Sequence, residues 1–103
     1  MRFRPFVFTA ALTSIGGAGA SLAQDLENGR RLSERWCIEC HDIGTARTKS
    51  SRVIPFPAIA NKPGITSEMI AKFLLMPHAT MPNMPLTRKD ADDLAAFIMN
   101  TRQ

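Results

Sequence analysis

The chain is short of most things that would build a large domain. It has few aromatic residues, two cysteines, no concentrated basic patch and one long apolar run. Each shortage excludes something. A single apolar run rules out a bundle of membrane spans. No stretch alternates apolar and polar residues in the manner of a half-buried strand, so a sheet protein is not expected. The basic residues are scattered, with Arg47, Lys49 and Arg52 their one cluster. A nucleic-acid binder concentrates such charge on one face. The two cysteines are separated by only two residues, and a bridge between them would close a tiny loop and brace little.

The apolar run sits at the start. Arg2 and Arg4 precede it, Pro5 to Ile15 carries no charge, and small residues lead to Ser21-Leu22-Ala23. This is the three-part layout of a secretory signal peptide. The run is short for a membrane span, which needs about 20 apolar residues. The competing reading is an uncleaved anchor. Residues 1–23 are expected to be a signal peptide and 24–103 one domain, soluble and without a membrane span once cut. Removing Arg2 and Arg4 leaves eleven basic against nine acidic side chains. A domain of this size is marginal on its own core. With three Phe (Phe56, Phe73, Phe97) and Trp36 as its aromatics, it has room for a cofactor to supply apolar mass.

Four features organise residues 24–103. Leu26, Gly29, Leu32, Trp36 and Cys40 recur at helical spacing, which predicts a helix over 25–40 begun by Asp25 and Glu27. Gly29 costs about 1 kcal/mol relative to Ala inside a helix, so it suggests close approach by another helix. Residues 42–64 are rich in Gly, Pro, Ser and Thr and read as a long ordered loop, with one helical turn near Ala58–Asn61. Thr66 or Ser67 can cap a helix reaching Met76, with Ile70, Phe73 and Leu74 as its stripe. Pro77 stops it. Pro77, Pro82 and Pro85 then stiffen a loop that holds Met81 and Met84. Thr87 with Asp90 forms a capping box variant before a last helix from Arg88 to about Thr101. Its apolar side is Ala91, Leu94, Ala95, Phe97 and Ile98, with Asp92, Asp93 and Asn100 outward. The fold expected is all-α, with three main helices.

Chemistry concentrates at Cys37-Ile38-Glu39-Cys40-His41, a C-x-x-C-H motif of the kind that attaches haem covalently. Two thiols at this spacing reach two vinyl groups of one porphyrin, and the next histidine is carried under the iron. The motif follows an export signal, and the export compartment is where such attachment is made. Two rivals use the same residues. A redox dithiol needs only C-x-x-C, but goes with a βαβ pattern absent here. A zinc site could use Cys37, Cys40, His41 and His78, but adjacent Cys40 and His41 make a tetrahedron awkward. For the iron's second axial position the candidates are Met81, Met84, Met76 and His78. Met69 and Met99 lie within helices and are expected to pack in the core. The other ring nitrogen of His41 needs a fixed acceptor, and the carbonyl of residue 55 is the first candidate, with Ile54 its neighbour.

These residues resemble the class I c-type cytochromes, over nearly all of residues 24–103. Gly29, Leu32 and Cys37 to His41 resemble the family's first helix and attachment motif. Phe56-Pro57-Ala58-Ile59-Ala60 resembles its haem-lining loop. Phe73-Leu74 to Pro77 and Met81-Pro82 resemble its penultimate helix and methionine-proline ligand motif, and Leu94 to Ile98 its last helix. The resemblance implies one haem c, covalent through Cys37 and Cys40 and ligated by His41 and Met81. It also implies packing of Gly29 against Phe97. Two departures stand out: Phe97 occupies a place where many relatives have tyrosine, and Ile54 one where many have proline. The implied protein is a periplasmic, monomeric one-electron carrier, not an enzyme, serving redox protein partners. Alternatives are a haem subunit or docking module of a periplasmic dehydrogenase, and a ligand-binding or peroxidase-like haem protein. The basic cluster is a solvated loop, or else a steering patch for an acidic partner.

Overall fold

A computed structural model of the chain describes residues 24–76 and 80–103, with positions 2, 3, 5, 10 and 11. The proposed signal peptide lies almost wholly outside the described residues, as do Pro77, His78 and Ala79. Four helices follow in order: α1 (Leu26–Trp36), α2 (Phe56–Ala60), α3 (Ser67–Leu75) and α4 (Arg88–Asn100). There is no strand among the described residues. The architecture is all-α, with three main helices and one short one.

Local chemistry sets the helix ends. The Asp25 carboxylate caps α1, accepting from the Asn28 N–H at 3.0 Å. Trp36 ends it, four residues before the end expected from the apolar spacing. The next residues form a turn, in which the N–H groups of Cys40 and His41 both donate to the Cys37 carbonyl, at 3.1 and 2.9 Å. Helix α2 begins at Phe56, two residues earlier than expected. Pro57 fits there because the first turn of a helix has no use for its N–H. Thr66 caps α3, and Met76 turns extended at φ −93° and ψ 143°, as a residue before proline must. Thr87 and Asp90 close a full capping box on α4, each side chain accepting from the other's N–H.

Helix α4 is the hub. α1, α2 and α3 each pack against it, and none packs against another. Its buried face is Ala91, Leu94, Ala95, Phe97 and Ile98, which meets Ile38, Ile43, Phe56, Ile70 and Ala71. At the crossing of α1 and α4, Gly29 makes room by having no side chain. A Cβ there would stand 2.3 Å from the Asp93 carbonyl oxygen and 2.7 Å from Phe97 Cβ. The pairing of Gly29 with Phe97 holds.

Three expectations from spacing fail. Trp36 is 38 % exposed and Leu26 is exposed, because α1 turns Gly29 and Ser33 toward α4 instead. Ser33 is tolerated there because its hydroxyl donates to the Arg30 carbonyl at 2.8 Å. Met69 is 54 % exposed, since α3 packs through Ile70 and Ala71. Asp93 does not point outward; it is 1 % exposed. Its carboxylate accepts from the Asp25 N–H at 2.8 Å, Asn28 Nδ2 at 2.9 Å and Lys89 Nζ at 2.5 Å. A buried carboxylate is affordable only when paired this way. Lys89 is on the same helix, but Asp25 and Asn28 come from α1 and its cap, which one-helix periodicity cannot see.

Candidate haem site

The attachment motif is held by the loop that follows it. Three consecutive residues are each tied to the returning chain. The Val53 N–H donates to the Cys40 carbonyl at 3.1 Å, and the Phe56 N–H to the Asp42 carbonyl at 2.9 Å. Between these two bonds, His41 Nδ1 lies 2.6 Å from the Ile54 carbonyl oxygen. The loop is secured from within by Asp42, whose Oδ1 accepts from the Gly44 N–H at 2.8 Å and Thr48 Oγ1 at 2.9 Å. Gly44 takes φ +74° at that bend, where a side chain would be strained and would also crowd Thr101. Ion pairs tack the outer part of the loop to the motif and α1: Lys49 to Glu39 at 3.2 Å, and Arg47 to Glu34 at 3.6 Å. Such exposed pairs add little stability, but they show that two members of the basic cluster are already partnered.

The acceptor for His41 is therefore Ile54, not residue 55. The Pro55 carbonyl is taken by the Ile59 N–H at 3.1 Å, the opening bond of α2. Among the described residues no backbone N–H donates to the Ile54 carbonyl. A carbonyl oxygen can only accept, so Nδ1 carries a proton, and in the neutral ring Nε2 is the nitrogen with the lone pair. The ring is steadied on one side by Phe56, with centroids 5.4 Å apart, and Phe56 in turn meets Phe97 edge-on at 6.3 Å.

The residues present fit a covalent haem. Both thiols are free. Cys37 is buried and Cys40 exposed. Burial first, and then the neighbouring Cys40, push the Cys37 thiol up to about 12. That thiol is protonated at neutral pH and is a poor redox nucleophile, against the dithiol reading. The described residues hold no group of three or more His, Cys, Asp or Glu that could bind a metal ion, against the zinc reading; His78 is outside them. Val53 and Ile54, tied to Cys40 and His41, leave apolar surface exposed beside the motif, which a flat hydrophobic group would cover. Met81 and Met84 are both half-buried in the segment before α4. Ile38, in the turn of the motif, and Ile43, in the irregular chain after it, are core residues that periodicity missed, because neither lies on a helical face.

A helical domain closed on α4, with a C-x-x-C-H turn and an anchored histidine, defines a class I c-type cytochrome. The family model described as "Cytochrome C oxidase, cbb3-type, subunit III" matches residues 24–98, and the chain belongs to that family. Among curated proteins, cytochrome c-552 of Bradyrhizobium diazoefficiens is 38 % identical over 92 residues, covering 88 % of this chain and 88 % of its own. No solved structure matches. The chain carries haem c, covalent through Cys37 and Cys40, and is a one-electron carrier. No helix among the described residues is long and apolar enough to cross a membrane.

Proposed function

We propose that this cytochrome works in the periplasm, that residues 1–23 take it there as a cleaved signal peptide, and that His41 and Met81 are the axial ligands of its iron. The observation that carries the reading is the bond from His41 Nδ1 to the Ile54 carbonyl. It fixes the tautomer and the ring, and leaves Nε2 as the ligating atom. Met81 supplies a soft thioether from a loop stiffened by Pro82 and Pro85. Met84 also precedes a proline, and the family pattern of methionine-proline several residues before the last helix favours Met81. Haem c bound there supplies an Fe(II)/Fe(III) couple, and histidine–methionine ligation sets a high potential. The chain's own part is to hold both ligands, exclude water with Phe56 and its neighbours, and leave one edge for a partner. Such encounters are small and transient. Donor and acceptor are redox proteins, and the domain acts as a monomer.

The description of the matching family as an oxidase subunit favours a second reading, in which the domain works docked on a larger redox enzyme. Spectra of the purified holoprotein, with its intact mass, test the first reading. A ferric methionine charge-transfer band, one haem per chain and a mass beginning at Gln24 are expected. A ferric protein without that band would sink the His/Met carrier and favour a ligand-binding protein. Co-elution with a larger enzyme in size-exclusion runs would favour the second reading.

A further inference from the structure

We infer that the mature chain begins with pyroglutamate, formed from Gln24; this rests on the reading that the signal peptide is cut after Ala23. Cleavage there makes Gln24 the N-terminal residue and frees its α-amine. In the ring closure, the α-nitrogen attacks Cδ of its own side chain. The new N–Cδ bond forms, the Cδ–Nε2 bond breaks, and the proton shed by the α-nitrogen leaves with ammonia. The atoms balance without oxidant, reductant or co-substrate.

The structure leaves this residue available. The ordered hydrogen bonding of α1 starts one residue later, where the Asp25 N–H is held by Asp93 Oδ1 at 2.8 Å and the Asp25 carboxylate caps Asn28. Gln24 is exposed, and among the described residues neither its backbone nor its side chain makes a hydrogen bond. Closure therefore breaks nothing. It uses only the α-nitrogen and side-chain amide of Gln24 and leaves the Asp25 N–H in place for Asp93. Gln24 shares a shallow depression with Ser67, Glu68 and Asp92. The product is a neutral lactam, which removes the terminal charge as acetylation does. It also leaves no free amine for aminopeptidases at a terminus that the Asp93 bond holds against the body of the domain.

The test uses holoprotein from freshly released, acid-quenched periplasm. Tandem mass spectrometry of the N-terminal peptide is expected to show a start at residue 24, lighter by one ammonia than the open form. Edman degradation is expected to be blocked until pyroglutamyl aminopeptidase is added. The Gln24→Ala chain, altered at an exposed residue outside the helix, is expected to be readable from its first cycle. A peptide starting at residue 24 with an unmodified glutamine overturns the proposal while leaving the cleavage reading intact. A peptide carrying residues before 24 overturns both. The haem spectrum of the same sample judges the electron-carrier reading separately.

Discussion

Gly29 lies so close to α4 that any side chain there would enter the backbone of Asp93, with 2.3 Å between an added Cβ and the Asp93 carbonyl oxygen. The obstacle is main chain, which cannot swing away as a rotamer can. Gly29→Ala should gain about 1 kcal/mol of helix propensity. It should lose more through overpacking, typically 1–3 kcal/mol. The expected outcome is a net drop in the urea midpoint of the holoprotein with an unchanged haem spectrum. A midpoint equal to or above wild type would show that the helices can part at little cost.

Asp93 gives a prediction with a pH signature. Burial pushes its carboxyl up, but hydrogen bonds from Lys89, the Asp25 N–H and Asn28 outweigh burial and leave it below its ordinary range. Asp90 is also held low, chiefly by the Thr87 N–H and then by Asn28. A carboxylate with a lowered folded-state value stabilises the fold fully above its unfolded value, about 4. That contribution fades as pH falls through the folded-state value. Stability should therefore be flat from pH 7 down to about 5 on this account and decline in more acidic solution. Asp93→Ala leaves the Asp25 N–H without its acceptor and the Asn28 amide with Asp90 alone, which should cost roughly 1–3 kcal/mol at pH 7. The gap between variant and wild type should narrow in acid. Thermal melts at pH 7 and pH 3 check this, and a constant gap would count against a charged Asp93 as the source.

The two thiols are separable by exposure. Cys37 is buried in the core while Cys40 is exposed. The Cys37→Ala/Cys40→Ala double variant should lose haem in a denaturing gel, whereas each single variant should keep reduced amounts through the remaining thioether. Full retention in the double variant would disprove attachment through these residues. Cys37→Ala should also lower stability more than Cys40→Ala, because only the first removes packed core volume.

The axial assignment is settled by a pair of substitutions. Met81→Ala should abolish the ferric methionine band and lower the potential, while Met84→Ala should leave both in place. The reverse result would move the ligand three residues along the loop.

Much of this was legible in the order of residues, for identifiable reasons. Helix caps at Thr87 and Asp90, and the stop before Pro77, depend on neighbours within a few positions. The C-x-x-C-H motif is local as well. The cost of Gly29 signalled a crossing, and resemblance to relatives supplied Phe97 as its partner. What escaped depends on distant partners. Asp93 looked like a solvent-facing carboxylate because its hydrogen-bond partner Asp25 is 68 residues away. Residue 55 looked the better acceptor for His41 until α2 was seen to begin on its carbonyl. Ser33 was hidden because its hydroxyl is satisfied by its own helix.

The crossing at Gly29, with the Asp25–Asp93 bond beside it, turns the domain into a closed loop with a clasp near its two ends. Cys37, Cys40, His41, Ile54, Met81 and Met84 are all strung inside that loop. None of them makes the clasp. Insertions or deletions between α1 and α4 can therefore reshape the haem's surroundings, and with them potential and partner choice, without loosening the fastening. Cutting into α1 past Gly29, or into α4 past Asp93, would spare the attachment motif and both loop methionines and still let the whole ring fall open.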